Sequence, residues 1–121
     1  MKKIMNRVDD FLSESLTGFA TAHSDVVTLN REPVFVRRRR LTKQKVALIS
    51  GGGSGHEPLH AGFVGYGMLD AACPGQVFTS PTPDQMLAAV EAYRVAIIWH
   101  RRHLQGGRFL RQRTQHPGAH A

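Results

Sequence analysis

An unbroken apolar run that leads directly into a glycine cluster is the feature that most constrains this fold. The run is residues 45–50 (KVALIS), and it lacks polar alternation, as is typical of a strand buried on both faces of a parallel sheet. The cluster is residues 51–58 (GGGSGHEP), which predict a turn with Pro58 in the first turn of a short helix. Strand, loop and helix in this order predict an α/β fold with a partial parallel or mixed sheet.

Two amphipathic helices are expected to flank this sheet. The first is predicted over residues 7–22, because a capping box can start at Asn6 and apolar side chains then recur at helical spacing. The second is predicted to begin at Pro83, where Thr82 and Gln85 have the spacing of a capping box and proline suits the first helical position.

Short β-branched stretches predict further strands. Residues 26–29 and 33–36 predict a strand, a turn and an edge strand. The four arginines at residues 37–40 could form a nucleic-acid-binding patch, but no aromatic side chains are interleaved for stacking on bases. We therefore predict an exposed loop between strands. Further on, Pro74-Gly75 predicts a turn before a short strand over residues 76–79.

Charge divides the 121-residue chain into two segments. Residues 1–92 carry ten Lys and Arg against all nine Asp and Glu, whereas residues 93–121 carry six Arg and no Lys, Asp or Glu, so most of the net charge of +7 lies there. Hydrophobic content of 41% and charged content of 21% are ordinary for a globular domain. We therefore predict one domain piece over residues 1–92 and a basic tail of unrelated composition over residues 93–121.

Sequence features favour a cytoplasmic location without a membrane partner. Acidic and basic side chains interrupt residues 1–22, where an export signal would need an apolar stretch. Apolar runs elsewhere are much shorter than the roughly 20 residues that span a bilayer. The single cysteine, Cys73, has no disulfide partner and is predicted to be a small buried side chain.

The glycine cluster argues against several common sites. After Gly55 come His56 and Glu57, where a nucleotide-binding P-loop needs Lys followed by Ser or Thr, and the dinucleotide pattern also fails at His56. The zinc-protease pattern H-E-x-x-H matches residues 56–60, but Pro58 biases Glu57 away from helical dihedrals, so His56 and His60 are not expected to chelate together. No metal site is predicted.

His56 is the candidate functional side chain of this loop. Small residues let a ligand approach the backbone, and free N–H groups at a helix start would favour an uncharged imidazole that hydrogen-bonds a small polyol or carbonyl compound. The alternative is a loop histidine bonded to backbone.

The motifs GGGSGHEP (51–58) and FTSPTPDQ (78–85), with HAGFVG (60–65) between them, closely resemble the N-terminal part of the dihydroxyacetone kinase substrate-binding subunit. The resemblance spans residues 1 to about 92. It implies phosphoryl transfer to a hydroxyl of dihydroxyacetone in glycerol and triose metabolism. It also implies that Gly53, Ser54, Gly55 and His56 contact the substrate, with His56 hydrogen-bonding it and assisting proton transfer.

The same resemblance implies that catalytic parts are missing. The family holds the ketone as a hemiaminal on a later histidine, and its presumed base is the aspartate of a Lys-Asn-Tyr-x-Gly-Asp segment beyond the helix at Pro83. Residues 93–121 contain neither Lys nor Asp, so that base has no counterpart. Our hypothesis is a truncated reading frame that is out of frame after about residue 92; a divergent extension is the alternative.

The resemblance further implies partners. No cofactor is expected on this chain; ATP with Mg²⁺, or ADP in a system fed by phosphoenolpyruvate, would be carried by a nucleotide-binding kinase domain or subunit. The parent subunit is expected to be a homodimer, and this chain alone is not expected to catalyse. The alternatives are a non-catalytic triose-binding or partner-binding remnant and, ranked behind it, a nucleic-acid-binding protein that uses the basic tail.

Overall fold

The computed structural model describes residues 3–42 and 45–93, and residues 97–100 as backbone. Within these ranges five strands form one sheet in the order β1-β2-β4-β3-β5, with α-helices beside it. The elements in chain order are α1 (Phe11–Ala22), β1 (Val27–Arg31), β2 (Val34–Arg38), β3 (Ala47–Ser54), a 3₁₀ helix (Ala61–Phe63), β4 (Ala71–Val77), α2 (Pro83–Glu91) and β5 (Ile97–His100). The predicted α/β class with a mixed sheet is confirmed. No helix in the described ranges is both long and apolar enough to cross a bilayer.

The sheet joins an antiparallel hairpin to parallel strands. β1 and β2 pair antiparallel, and β2 pairs antiparallel with β4. β3 then pairs in parallel with β4 on one side and with β5 on the other. The two strands predicted near residues 26–29 and 33–36 are confirmed, but the edge strand is β1, because β2 lies between β1 and β4.

Each face of the sheet is covered by one helix. α2 packs Ala89 against a buried cluster on one face, and α1 packs Leu16 against the other. The strand residues of these two clusters are Phe35, Ala47, Ile49, Ala71 and Cys73 on the α2 side and Val27, Val36 and Ala72 on the α1 side. Cys73 is fully buried, as predicted, and burial raises the pKa of its thiol to about 12.

The first helix begins later than its sequence pattern predicts. α1 starts at Phe11, preceded by Asp10 at the cap position, so the predicted start at residue 7 is wrong. The Asn6 side-chain amide donates to both carboxylate oxygens of Glu14, at 3.0 and 3.1 Å. Because the Asn6 side chain is used in this way, it does not form the expected capping box.

Both central strands run through residues that the sequence assigned to turns. β3 continues through the glycines to Ser54, and β4 runs through Pro74 and Gly75, with Gly53 opposite Gly75. The predicted turn at Pro74-Gly75 and the separate strand over residues 76–79 are therefore wrong. The cause is parallel pairing between the two strands, which holds these glycines extended.

A side chain from α2 explains how a proline is accommodated inside the sheet. Proline cannot donate a ladder hydrogen bond, and the pairing of β4 with β2 ends at Ala72. Beyond that point, Gln85 Nε2 donates to the carbonyl oxygens of Val34 at 2.7 Å and Pro74 at 3.0 Å. Gln85 Oε1 also accepts from the Thr82 N–H at 2.9 Å, which closes the predicted capping box.

A buried charge cluster ties β2, β3 and β4 together. Asp70 is fully buried, and its carboxylate accepts from Arg38 Nη1 at 3.0 Å and from the Leu48 N–H at 2.8 Å, with Lys45 Nζ also at 2.8 Å. Arg37 and Arg38 belong to β2, so the exposed loop predicted over residues 37–40 is wrong for these two residues. The physical reason is the buried carboxylate, which compensates the charge of Arg38.

The predicted boundary after residue 92 lies next to a packed residue. Tyr93 is buried in the cluster on the α2 side, and its hydroxyl donates to the Asp70 carbonyl oxygen. The β5 backbone pairs with β3. The rest of the basic tail, residues 94–96 and 101–121, lies outside the described residues, and the out-of-frame hypothesis stays a prediction.

Candidate functional site

The candidate site lies where β3 and β4 end and residues 78–81, the crossing segment, pass over both strands. A Cβ at Gly53 would lie 2.7 Å from the Thr79 nitrogen and 2.9 Å from the Phe78 carbonyl carbon. A Cβ at Gly75 would overlap the Thr79 carbonyl oxygen and lie 2.6 Å from the Ser80 carbonyl carbon. Glycine is required at both positions because the crossing backbone leaves no room for a side chain.

Ser54 anchors this crossing. Its side chain is buried, and its hydroxyl donates to the Gly75 carbonyl oxygen at 2.7 Å. Its own carbonyl oxygen accepts from the Phe78 N–H at 2.8 Å. Hydrogen bonds therefore join the end of β3 to β4 and to the crossing segment, and they bring the two sequence motifs into direct contact.

The turn after β3 begins at Gly55. Gly55 has φ of +102°, a conformation that glycine adopts readily and other residues rarely do. Its N–H lies 3.0 and 3.1 Å from the two carboxylate oxygens of Glu57, to which it donates. A carboxylate thus already occupies one of the loop N–H groups that are expected from the sequence to be free for a ligand.

No α-helix follows this turn, so the helix predicted to start at Pro58 is wrong. Residues 57–60 form turns, and the next helical element is the single 3₁₀ turn Ala61–Phe63. The chain reverses through hydrogen bonds from the Leu59 N–H to the His56 carbonyl oxygen, 3.0 Å, and from the Gly62 N–H to the Pro58 carbonyl oxygen, 2.9 Å. No helix N-terminus therefore supplies the positive electrostatic potential that was expected to act on the His56 imidazole.

The His56 side chain is exposed at the rim of the site. Its imidazole and the Phe78 ring form a T-shaped pair, with centroids 5.1 Å apart and an interplanar angle of 74°. A groove of about 670 Å³ beside the crossing segment is lined by residues that include Arg31, Thr79 and Thr82, and His56 is not among them. The exposed His56 side chain thus lies outside this groove, in the turn that follows β3.

The second histidine of the H-E-x-x-H pattern lies in a different environment. His60 Nδ1 is 2.8 Å from the Ser50 hydroxyl, and a Cβ at Gly52 would overlap His60 Nε2. Residues 57–60 are not helical, so His56 and His60 do not share a helix face as the zinc-protease arrangement requires. Within the described part of the chain, no group of three or more His, Cys, Asp or Glu side chains could hold a metal ion.

The structure brings the four predicted residues, 53–56, together at one strand end, and it adds two that sequence reasoning missed. No role in this site is predicted for Glu57 from the sequence, although its carboxylate accepts from the Gly55 N–H. Phe78 entered only as the first residue of a motif, although its ring contacts His56. The available signal was the presence of both residues inside the motifs that carried the resemblance.

These features place the chain among α/β domains that carry a glycine-rich loop at the carboxyl end of a parallel strand. The sequence profile of the Dak1 domain matches residues 17–97, and the chain belongs to that family.

The relatives agree with this assignment. The chain is 56% identical over 87 residues to the dihydroxyacetone-binding subunit DhaK of the PEP-dependent dihydroxyacetone kinase of Escherichia coli, a match covering 71% of this chain and 24% of that subunit. The crystal structure of the dihydroxyacetone kinase of Citrobacter freundii superposes with a TM-score of 0.74 at 39% identity, covering 81% of this chain and 19% of that one.

A third relative has a different described role. A structure described as a dihydroxyacetone kinase operon co-activator superposes with a TM-score of 0.64 at 36% identity, covering 68% of this chain and 25% of that one. The chain spans about a quarter of the length of two bacterial dihydroxyacetone-binding subunits that it matches, 24% and 27%.

Proposed function

We propose that this chain is the N-terminal part of the dihydroxyacetone-binding subunit of a dihydroxyacetone kinase. In the parent protein this part would hold dihydroxyacetone while one of its hydroxyl groups receives a phosphoryl group. The exposed imidazole of His56, at the end of a parallel strand and within the turn over residues 55–60, is the observation that carries the proposal. The 56% identity to a dihydroxyacetone-binding subunit over 87 residues supports it.

The proposed roles depend on the groups that each residue has available. His56 offers a ring nitrogen that can hydrogen-bond the triose and move a proton, and such general acid or base help is typically worth about 10² to 10⁴ in rate. Gly53 and Gly55 would contact the ligand through main-chain atoms, because the crossing segment and the Phe78 ring occupy the space where their side chains would lie. The hydroxyl of Ser54 is engaged with Gly75, so Ser54 would contact the ligand through its main chain.

The phosphoryl donor would come from elsewhere. We assign ATP with Mg²⁺, or ADP in a system fed by phosphoenolpyruvate, to a nucleotide-binding domain or partner subunit, and we assign no cofactor to this chain. The names of the relatives include both PEP-dependent and PTS-dependent kinases. A cytoplasmic location and a homodimeric parent subunit are part of the same proposal, and neither a membrane nor a nucleic acid is a proposed partner.

A second candidate is binding without turnover. Its support is the similarity to the operon co-activator, a relative whose described role is not that of an enzyme. A chain of this kind would sense or sequester dihydroxyacetone. The two candidates share the ligand and differ in whether the bound triose is phosphorylated.

Titration of the purified chain with dihydroxyacetone tests the shared step. We expect amide NMR shifts at residues 53–56 and a ligand-dependent rise in Tm, both lost in His56→Ala. His23→Ala is the matched control, because His23 is an exposed histidine near the C-terminal end of α1. An unperturbed spectrum at high ligand concentration would contradict the proposal, and consumption of dihydroxyacetone with ATP by this chain alone would contradict our assignment of the catalytic parts to other segments.

A further inference from the structure

The backbone of Phe78 is unusual among the described residues. It has φ of +53°, and no other non-glycine residue in the described ranges has a positive φ. Bulky residues rarely adopt this left-handed conformation, and it costs free energy unless the surroundings impose it. Here the imposing contacts are the hydrogen bond from the Phe78 N–H to Ser54 and that from the Thr79 N–H to the Gln76 carbonyl oxygen at 2.9 Å.

Core packing does not explain why this position carries a phenylalanine. The residue is 71% exposed, so its ring gains little from burial. Glycine would adopt the same backbone conformation without penalty. The reason for an aromatic side chain must therefore lie in what the ring touches.

The ring touches the candidate site. The Phe78 and His56 rings meet at a centroid distance of 5.1 Å and an interplanar angle of 74°, the edge-to-face arrangement that aromatic pairs prefer. A Cβ at Gly55 would lie 3.0 Å from both Cε1 and Cζ of Phe78. Glycine at position 55 therefore leaves the space that the ring uses to reach the imidazole.

We propose that Phe78 is a positioning residue for His56, and that its left-handed backbone serves to aim the ring at the imidazole. This inference rests on the proposed role of His56 as a ligand contact. An exposed imidazole has several rotamers, and a ring fixed beside it restricts them before the ligand arrives. Binding then requires less ordering of the His56 side chain.

Three variants of the full chain test this inference. Phe78→Gly removes the backbone strain and loses little burial, so we expect a Tm at least equal to that of the wild type. We also expect dihydroxyacetone binding to weaken about two- to tenfold, which corresponds to the free energy of one aromatic pair. Phe78→Leu keeps a bulky residue at the positive-φ position but lacks the aromatic ring, so it should weaken dihydroxyacetone binding by a similar factor. Phe78→Tyr keeps an aromatic ring at this position and should retain wild-type affinity.

A ligand-free NMR readout separates this inference from the proposed function. The His56 ring protons should show a ring-current shift and cross-relaxation with the Phe78 ring in the wild type and in Phe78→Tyr, and both signals should be absent in Phe78→Leu. Phe11→Leu, at an exposed position in α1, is the control that leaves them unchanged. If these signals behave as stated while dihydroxyacetone does not bind, Phe78 positions His56 and the ligand assignment fails.

Two results would overturn the positioning role. One is a wild-type His56 ring without the ring-current shift, whatever the ligand does. The other is a Phe78→Gly variant that loses Tm and affinity together, because that pattern indicates a purely structural side chain.

Discussion

Replacing Asp70 with Asn removes one charge from the buried cluster while keeping the side-chain shape. In the wild type the carboxylate accepts from Arg38 and from the Leu48 N–H and pairs with Lys45. An Asn side chain can still accept one hydrogen bond from Leu48. It cannot neutralise the two cations, so the change isolates the electrostatic contribution of Asp70.

The expected loss depends on the burial of each partner. Only 9% of the Arg38 side chain is exposed, and removing one member of such a buried pair typically costs about 3–5 kcal/mol. The Lys45 side chain is 34% exposed and can turn towards water, so its share is smaller. We expect about 3 kcal/mol for Asp70→Asn, a large part of the roughly 5–13 kcal/mol expected for some 90 folded residues.

The lowered pKa of Asp70 predicts how the stability difference between the wild type and Asp70→Asn changes with pH. Burial alone would raise the pKa of Asp70, but the hydrogen bonds from Lys45, the Leu48 N–H and Arg38 outweigh burial and hold the pKa below its ordinary value of 3.8. A lowered folded-state pKa means that the stabilisation is fully present above the unfolded-state pKa, near pH 4. It is lost as the pH falls through the folded-state value, so the wild type and Asp70→Asn should converge in acid.

Urea unfolding followed by circular dichroism measures both effects, at pH 7 and in steps down to pH 3. Asp25→Asn is the control, since it removes the same charge from an exposed residue just before β1 and should change stability by less than about 0.5 kcal/mol. An Asp70→Asn protein as stable at pH 7 as Asp25→Asn would refute the reasoning. So would a difference between wild type and Asp70→Asn that grows on acidification.

Two glycine substitutions should act in opposite directions in the same urea assay. Gly75→Ala places a Cβ on the Thr79 carbonyl oxygen, so we expect stability to fall by about 3 kcal/mol, at the upper end of overpacking costs. A smaller loss would mean that the crossing segment can move aside at little cost. Gly18→Ala lies within α1 with nothing within 4 Å of the added Cβ, and we expect a gain of about 0.5–1 kcal/mol; a loss there would show that Gly18 has a packing role.

Elements with local sequence signals could be predicted from the sequence. The apolar run at residues 45–50 leads into β3, and the Thr82 to Gln85 spacing starts α2, because each signal lies within a few residues of the structure it specifies. β4 could not be predicted in this way. Pro74-Gly75 has the local chemistry of a turn, and the donor that supports an extended chain there is Gln85, which comes from another element.

A long-range partner also determines which part of the arginine run, residues 37–40, is buried. Four consecutive arginines look like a solvated loop when only neighbours are considered. Arg38 lies inside because its counter-charge, Asp70, stands 32 positions away and is itself fully buried. Local composition contains no information about such a pair, so the exposed-loop prediction rested on a local signal that tertiary structure overrides.

The glycines of the candidate site lack a side chain for different physical reasons. Gly53 and Gly75 face the crossing backbone, so packing alone accounts for their lack of a side chain, with or without a ligand. Gly55 is different, since its positive φ sets the turn and its open side admits the ring of Phe78. Evidence for a ligand contact therefore has to come from His56, the exposed side chain that these glycines position, and the loss of binding in His56→Ala is more informative than any glycine substitution.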